Sequence, residues 1–371
     1  MGVEGSDPLK VVKVLALTKY GRLGASSRMR FLQCLPWLQQ ADVEITVQPL
    51  LSDEVLLKRY QRGAYGLWSL LRAYAARFRA LLQRHHFDVV WIEKEALQWS
   101  PLWLELALLC GTPFVLDYDD AVFHHYDHHS NPWVRRLYGQ RLDGLMANAA
   151  LVVGGNNYLA DRARDAGARY VEVLPTVIDL DRYPRKSKVL TADIAVNHQP
   201  RIVWIGSPST VRYVQLLREP LQALAKRQSF VLRVIGGGAL DLPGVQVEVM
   251  SWSEGTEVEN ISNCDVGVMP LLDSCWERGK CGYKLIQYMA CGLPVVASNV
   301  GVNPEIVLQG VNGFIANTAE EWVAALGKLL EDKSLSAQMG LAGRLRVEHS
   351  YCIQKTGTKM AELLRTVAGV H

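Results

Sequence analysis

The chain has 371 residues, 49% hydrophobic and 21% charged, which excludes a disordered chain and suggests two domains. Forty Lys and Arg stand against 37 Asp and Glu, a net charge of +3 too balanced for a protein that coats nucleic acid. Seven cysteines without a C-x-x-C pair give neither a disulfide framework nor zinc-finger spacing, and fit reduced thiols in the cytoplasm.

The most apolar window, 101–116, is too short to span a membrane and contains Glu105. The first residues lack the order of a signal peptide, although 1–6 fits the M-G-x-x-x-S myristoylation pattern. Apolar runs at 11–17, 44–50, 87–92, 113–116, 151–153 and 170–174 read as strands. Helical stretches separate them, the longest over 53–85. Such alternation implies a parallel sheet covered on both faces. The pattern breaks at 183–201, a polar stretch that reads as a linker. It resumes with strands at 201–205, 230–235, 245–250, 266–269 and 294–297. The expectation is an α/β fold of two doubly wound domains, 1–184 and 185–353, facing a cleft. The helix at 354–371 is expected to pack back on the first domain. Ligands in such sheets bind beyond the carboxyl ends of the strands.

Residues 279–307 (GKCGYKLIQYMACGLPVVASNVGVNPEIV) are the most informative. A helix over 284–290 ends at Gly292, a strand follows, and a small-residue turn closes it. Arg278, Lys280 and Lys284 beside the helix start fit an anion site, and equally a surface basic cluster on an ordinary helix.

This stretch resembles the C-terminal signature of family 4 retaining glycosyltransferases, which have the GT-B fold of two Rossmann-like domains. The match is close over Tyr288 to Ser298 (YMACGLPVVAS), and LPTVIDLDRY at 174–183 resembles a second family element. The usual pair of glutamates is absent. Gln287 stands at the second, which implies a neutral ribose anchor. Gly279 stands at the first, with Glu277 two residues earlier. The resemblance places Lys280 and Lys284 on the donor diphosphate. It puts Asn299, Val300, Gly301 and Val302 in a turn near the sugar and phosphates. Where the family usually has G-R and a later Lys, this chain has Gly206, Ser207 and Arg212. With Ser209 and Thr210 these residues form a hydroxyl-lined loop able to receive phosphate. N-capping explains the same hydroxyls.

Gly21 and Gly24 open a loop after the first strand, where backbone approaches a ligand closely. Arg28 and Arg30 favour an acceptor phosphate. The loop is not G-x-G-x-x-G, so no nicotinamide cofactor is indicated. Asp119 falls near the family's frequent His, and Asp119 and Asp120 are the candidates for orienting hydroxyls, with Lys284 as third catalytic candidate. Glu93 is a candidate acceptor contact, and salt bridging or exposure to solvent explains it equally. Asp127, His128 and His129 have the chemistry of zinc ligands, but the resembling enzymes usually need no metal, and none is expected. Residues 55–87 carry seven Lys or Arg, no acid, and interleaved aromatics. This basic stretch can lie on an anionic membrane or show arginines to water.

The resemblance implies a retaining transferase. It would move a sugar from a nucleoside diphosphate sugar to a glycan or lipid-linked glycan hydroxyl, in bacterial surface polysaccharide or lipopolysaccharide synthesis. No cofactor and no nucleic-acid partner are expected. The protein is expected in the cytoplasm, at the inner membrane face. Alternatives are a same-fold epimerase or phosphorylase, or a non-catalytic sugar-nucleotide-binding partner.

Overall fold

The computed structural model describes residues 10–185 and 199–370. The myristoylation pattern and most of the expected linker lie outside the described residues. The chain divides into two compact units, one of residues 1–176 with 353–371 and one of 177–352.

In the first unit the strands are β1 (Val12–Tyr20), β2 (Val43–Leu51), β3 (Val89–Glu93), β4 (Phe114–Tyr118), β5 (Leu151–Gly154) and β6 (Val171–Val173). They form one parallel sheet in the order β2-β1-β3-β4-β5-β6. Every residue of β3, β4 and β5 is buried, because helices cover both faces of the sheet. The chain runs outward from β1 to β2, then crosses to β3 on the other side. The point where strand order reverses therefore lies between β1 and β3.

The second unit holds β7 (Arg201–Ile205), β8 (Val231–Ile235), β9 (Gln246–Met250), β10 (Val266–Met269), β11 (Val295–Ser298) and β12 (Gly313–Ala316). Its parallel order is β12-β11-β10-β7-β8-β9, reversing between β7 and β10. The sequence reading stops short of β12, a four-residue strand whose first residue is glycine. Gly313 is needed there, since a Cβ would lie 2.1 Å from the Val295 carbonyl oxygen.

The helix expected over 53–85 is two helices, Asp53–Arg62 and Leu67–Leu82. Gly63 at φ +76° ends the first in the left-handed region that favours glycine. Arg77 departs from both readings of 55–87, in which the arginines face a membrane or water. It is only 1% exposed and donates to Gln48 and to the Thr18 and Ala96 carbonyls. Arg72 and Arg79 are exposed. The C-terminal helix Ile353–Val367 packs within the first unit, where Gly357 lets the Trp37 ring approach.

Candidate functional site

In each unit, chemistry-bearing residues collect beyond the carboxyl ends of the strands. The second unit supplies a basic edge. Gly206 follows β7 and Gly236 follows β8, and the two backbones touch. A Cβ on Gly236, at φ +76°, would sit 2.5 Å from the Gly206 carbonyl oxygen. A Cβ on Gly206 would strike the Trp204 ring. The Lys284 ammonium stands over that ring, 5.4 Å from its centroid, which fixes it beside the glycine edge. Lys280 stands over Trp276 at 6.0 Å, and Arg212 over Tyr213 at 5.2 Å.

The helix Tyr283–Ala290 is anchored from inside the unit. Gly282, at φ +65°, opens it. Tyr288 is fully buried, and its hydroxyl accepts from the Ile205 amide at 2.9 Å. Its ring fills the space that a Cβ on Gly267 would need. The motif around Met289 thus docks the helix that carries Lys284 onto β7 and β10. Gln287 is buried, and its amide donates to the Tyr183 hydroxyl at 3.1 Å. Tyr183 sits beside the buried Glu257, which also accepts from the Trp252 indole at 2.8 Å.

Ser207, Ser209 and Thr210 bond one another. Ser207 and Ser209 hydroxyls lie 2.8 Å apart, and the Thr210 hydroxyl accepts from the Ser207 amide at 3.1 Å. The loop is therefore a closed turn with its hydroxyls at the strand end. In the turn after β11, Asn299 and Gly301 are exposed while Val300 and Val302 are buried. Gly301 has φ +54°, and a Cβ there would lie 2.8 Å from the Arg278 carbonyl oxygen. Glu277 is buried, accepting from the Tyr213 and Ser274 hydroxyls. It ties the segment after β7 to that before Lys280.

The first unit supplies an edge of paired charges. Lys94 follows β3 with φ +66°, unusual for a residue with a side chain. Its ammonium lies 2.8 Å from Asp119, 3.8 Å from Asp120 and 4.0 Å from Glu93, and donates to the Ser26 hydroxyl at 3.2 Å. Burial alone would lower the Lys94 pKa, but Asp119, then Asp120 and Glu93, outweigh it and hold the amine protonated. Burial likewise acts to raise Asp119, and Lys94 outweighs it, holding the carboxyl below its usual range. Sequence reading names Asp119 and Asp120 and misses Lys94. The signal was a lysine between two glutamates at the end of a buried strand.

Other expected residues have definite places here. Gly21 faces Asp53, which accepts from the Arg22 and Leu23 amides at 3.1 and 3.0 Å. A Cβ on Gly24 would lie 2.5 Å from the Cβ of Tyr20. Glu93 is buried and accepts from the Ser27 hydroxyl at 2.6 Å and the Lys19 amide at 2.8 Å, turned toward the glycine loop. Arg30 is buried against Asp117 at 2.7 Å and the Leu174 carbonyl. Arg28 is buried and donates to the Arg22 carbonyl at 2.8 Å. Asp127 accepts from His124 at 2.8 Å and pairs with Arg162 at 3.1 Å. His129 accepts from the Asn131 amide at 3.0 Å.

Two doubly wound units, each with glycines and charge at the carboxyl edge of its sheet, define the GT-B architecture. Residues 12–176 match the family described as glycosyl transferase 4-like domain, and residues 199–332 match glycosyl transferases group 1. The two matches together take in most of the chain. The chain belongs to the family 4 (group 1) glycosyltransferases. It is 29% identical over 219 residues to a GDP-mannose-dependent alpha-(1-6)-phosphatidylinositol monomannoside mannosyltransferase of Mycolicibacterium smegmatis, covering 52% of this chain. It spans a little over half the length of that relative, 56%. It is 24% identical to the Mycobacterium tuberculosis protein of the same description, over 78% of each chain. Among solved structures it shares the fold of Anabaena HepE in complex with UDP and glucose, with 16% identity and a TM-score of 0.69 over 96% of this chain and 100% of that one. It shares the fold of WaaG, a glycosyltransferase involved in lipopolysaccharide biosynthesis, with 15% identity and a TM-score of 0.64 over 95% and 99%.

Proposed function

We propose that the protein is a retaining glycosyltransferase of the subgroup with Lys-x-x-Gln-Tyr-Met-Ala in place of the glutamate pair. It moves a sugar from a nucleoside diphosphate sugar to an acceptor hydroxyl, in the synthesis of a bacterial surface polysaccharide or lipopolysaccharide. The observation that carries this reading is the basic edge of the second unit, where Lys284 stands over Trp204 beside Gly206, Arg212 over Tyr213 and Lys280 over Trp276. The bond from the sugar's anomeric carbon to the diphosphate breaks, and the acceptor oxygen bonds to that carbon on the same face. The departing diphosphate oxygen takes the acceptor proton. The protein's part is positioning and charge stabilisation. Lys280 and Lys284 stabilise the diphosphate as its charge grows. Gly206, Ser207, Ser209 and Thr210 present backbone and hydroxyl donors, Gln287 reaches the ribose, and the turn from Asn299 to Val302 lies by the sugar. Lysines and arginines meet the phosphate charge, so no metal is required. Asp119 and Asp120 orient sugar hydroxyls, and Gly21, Gly24, Arg28, Arg30 and Glu93 shape the acceptor side.

A sugar nucleotide bound to its relatives' fold supports the donor class, since HepE is described with UDP and with UDP-glucose. The described mannosyltransferase relatives support a lipid-linked or glycan acceptor. The work takes place in the cytoplasm at the inner membrane face, with the basic stretch 55–87 meeting anionic lipid. Incubation with UDP-glucose, GDP-mannose and other sugar nucleotides, read as nucleoside diphosphate release with and without glycan acceptors, tests the reading. Acceptor-dependent release is expected with at least one donor. No release with any donor would overturn it.

A further inference from the structure

Tryptophan is rarely left in water, because its large apolar ring favours burial. Three of this chain's tryptophans break that habit in one unit. Trp68, Trp103 and Trp133, with Leu67 and Leu137, are each between 68% and 76% exposed. The next most exposed large apolar side chain among the described residues is Leu341, in the other unit, at 57%.

These five side chains share an edge. Leu67 and Trp68 open the helix Leu67–Leu82, Trp103 is the second residue of Leu102–Leu109, and Trp133 is the second of Pro132–Tyr138. Leu137 lies one turn beyond Trp133, on the same helix face. The three helices follow β2, β3 and β4 of a parallel sheet, and the Tyr65 hydroxyl reaches the Tyr20 hydroxyl at the end of β1, 3.0 Å away. Their first turns therefore lie at the carboxyl end of that sheet. The helices are also lateral neighbours. Leu67–Leu82 contacts Leu102–Leu109, which contacts Arg141–Asn148, which in turn contacts Pro132–Tyr138. Leu102 and Leu137 line the same cavity.

Charge says what covers this rim. Arg72, Arg79, Arg135 and Arg136 are exposed on two of these helices, and neither helix carries an acidic residue. Tryptophan tips flanked by arginines suit the level of lipid headgroups, where the ring is half dissolved and the cation meets lipid phosphate.

We propose that this rim inserts into the headgroup layer of an anionic bilayer, with Trp68, Trp103 and Trp133 as its anchors. Insertion goes beyond electrostatic adsorption of the basic stretch, and it does not rest on transfer activity. The carboxyl end of the first sheet, with Lys94 and Asp119, then lies next to the lipid surface.

Co-sedimentation with vesicles of phosphatidylcholine and phosphatidylglycerol tests the proposal directly. The full chain should pellet with the vesicles at low salt. A bound fraction should persist near 1 M salt, where the screening length is about 3 Å. The triple variant Trp68→Ala, Trp103→Ala, Trp133→Ala should bind about tenfold more weakly at both salts, with an unchanged circular-dichroism melt. Arg72→Gln with Arg79→Gln should weaken only low-salt binding. Three results would each overturn the proposal. One is equal recovery in the supernatant with and without vesicles. Another is a triple variant that binds like the parent. The third is a concentration-dependent dimer that forms through these tryptophans while vesicles remain unbound. None of them bears on whether a sugar nucleotide is turned over.

Discussion

The Lys94 ammonium lies 2.8 Å from the Asp119 carboxylate, and this pair joins the ends of β3 and β4 to the glycine loop after β1. Removing Lys94 takes from the Asp119 carboxylate its nearest cation and leaves the Ser26 hydroxyl and the Arg30 charge to hold it. Lys94→Met should therefore destabilise the protein by about 3–5 kcal/mol, the cost of breaking a buried pair from one side. Asp119→Asn in the Lys94→Met background should recover part of that loss. Urea denaturation of the four members of the cycle measures the coupling, and additive losses would show that the pair is energetically idle.

Arg77 gives a second stability test. Its guanidinium serves Gln48 and two strand-end carbonyls in the core of the first unit. Arg77→Ala leaves those acceptors unsatisfied and should cost at least about 2 kcal/mol. Arg79→Ala, on the exposed side of the same helix, should stay within about 0.5 kcal/mol of the parent. Equal losses from the two variants would contradict the assignment of Arg77 to the interior.

Both examples show where sequence reading runs out. The strands were legible because β3, β4, β7 and β10 are each built on a short apolar run (VVWI, FVL, IVWI and VGVM), as a sheet covered on both faces requires. The stretch from Tyr288 to Ser298 was legible because each residue has a fixed packing duty, Tyr288 against Gly267 above all. Lys94 was not legible. Its partners arrive from β4, and only the register that sets Glu93 beside Asp117 brings them together. Helical periodicity could not separate Arg77 from Arg72 and Arg79, since a long aliphatic stem can lie on either side of a helix. The break at Gly63 was hidden by strong helical periodicity on both sides.

Glu348 predicts a pH effect in the second unit. Arg185 hydrogen-bonds its carboxylate and, with further help from Arg344, outweighs the desolvation by burial, holding its pKa at about 2 against an ordinary 4.5. A lowered carboxyl pKa contributes stability that is complete above 4.5 and is lost as pH falls toward 2. Glu348→Gln should be less stable than the parent near neutral pH, and the gap should close as the solution is acidified through that window. Thermal melts of the two proteins across the range are the measurement. A gap that widens with acid would reverse the sign of the argument.

Chelation tests the electrostatics of catalysis. Lys280, Lys284 and Arg212 bring positive charge to the edge of the second sheet, the work a divalent ion does at many phosphate sites. Transfer should continue undiminished in excess EDTA. Activity that disappears with chelator and returns with one divalent ion would assign the charge stabilisation to a metal instead.

The central claim is that the second unit holds the diphosphate of a sugar nucleotide through Lys284. Lys284 stands over the Trp204 ring at 5.4 Å on a helix anchored independently by Tyr288, so Lys284→Ala should leave the fold intact. Calorimetric titration of the full chain with UDP and with GDP, repeated on Lys284→Ala, is the most direct measurement. The account predicts saturable one-site binding of at least one of the two. Lys284→Ala should weaken it by about tenfold, the loss of one charge-assisted contact of ~1.4 kcal/mol. Absence of binding by both nucleotides, or equal affinity in the parent and Lys284→Ala, would contradict it.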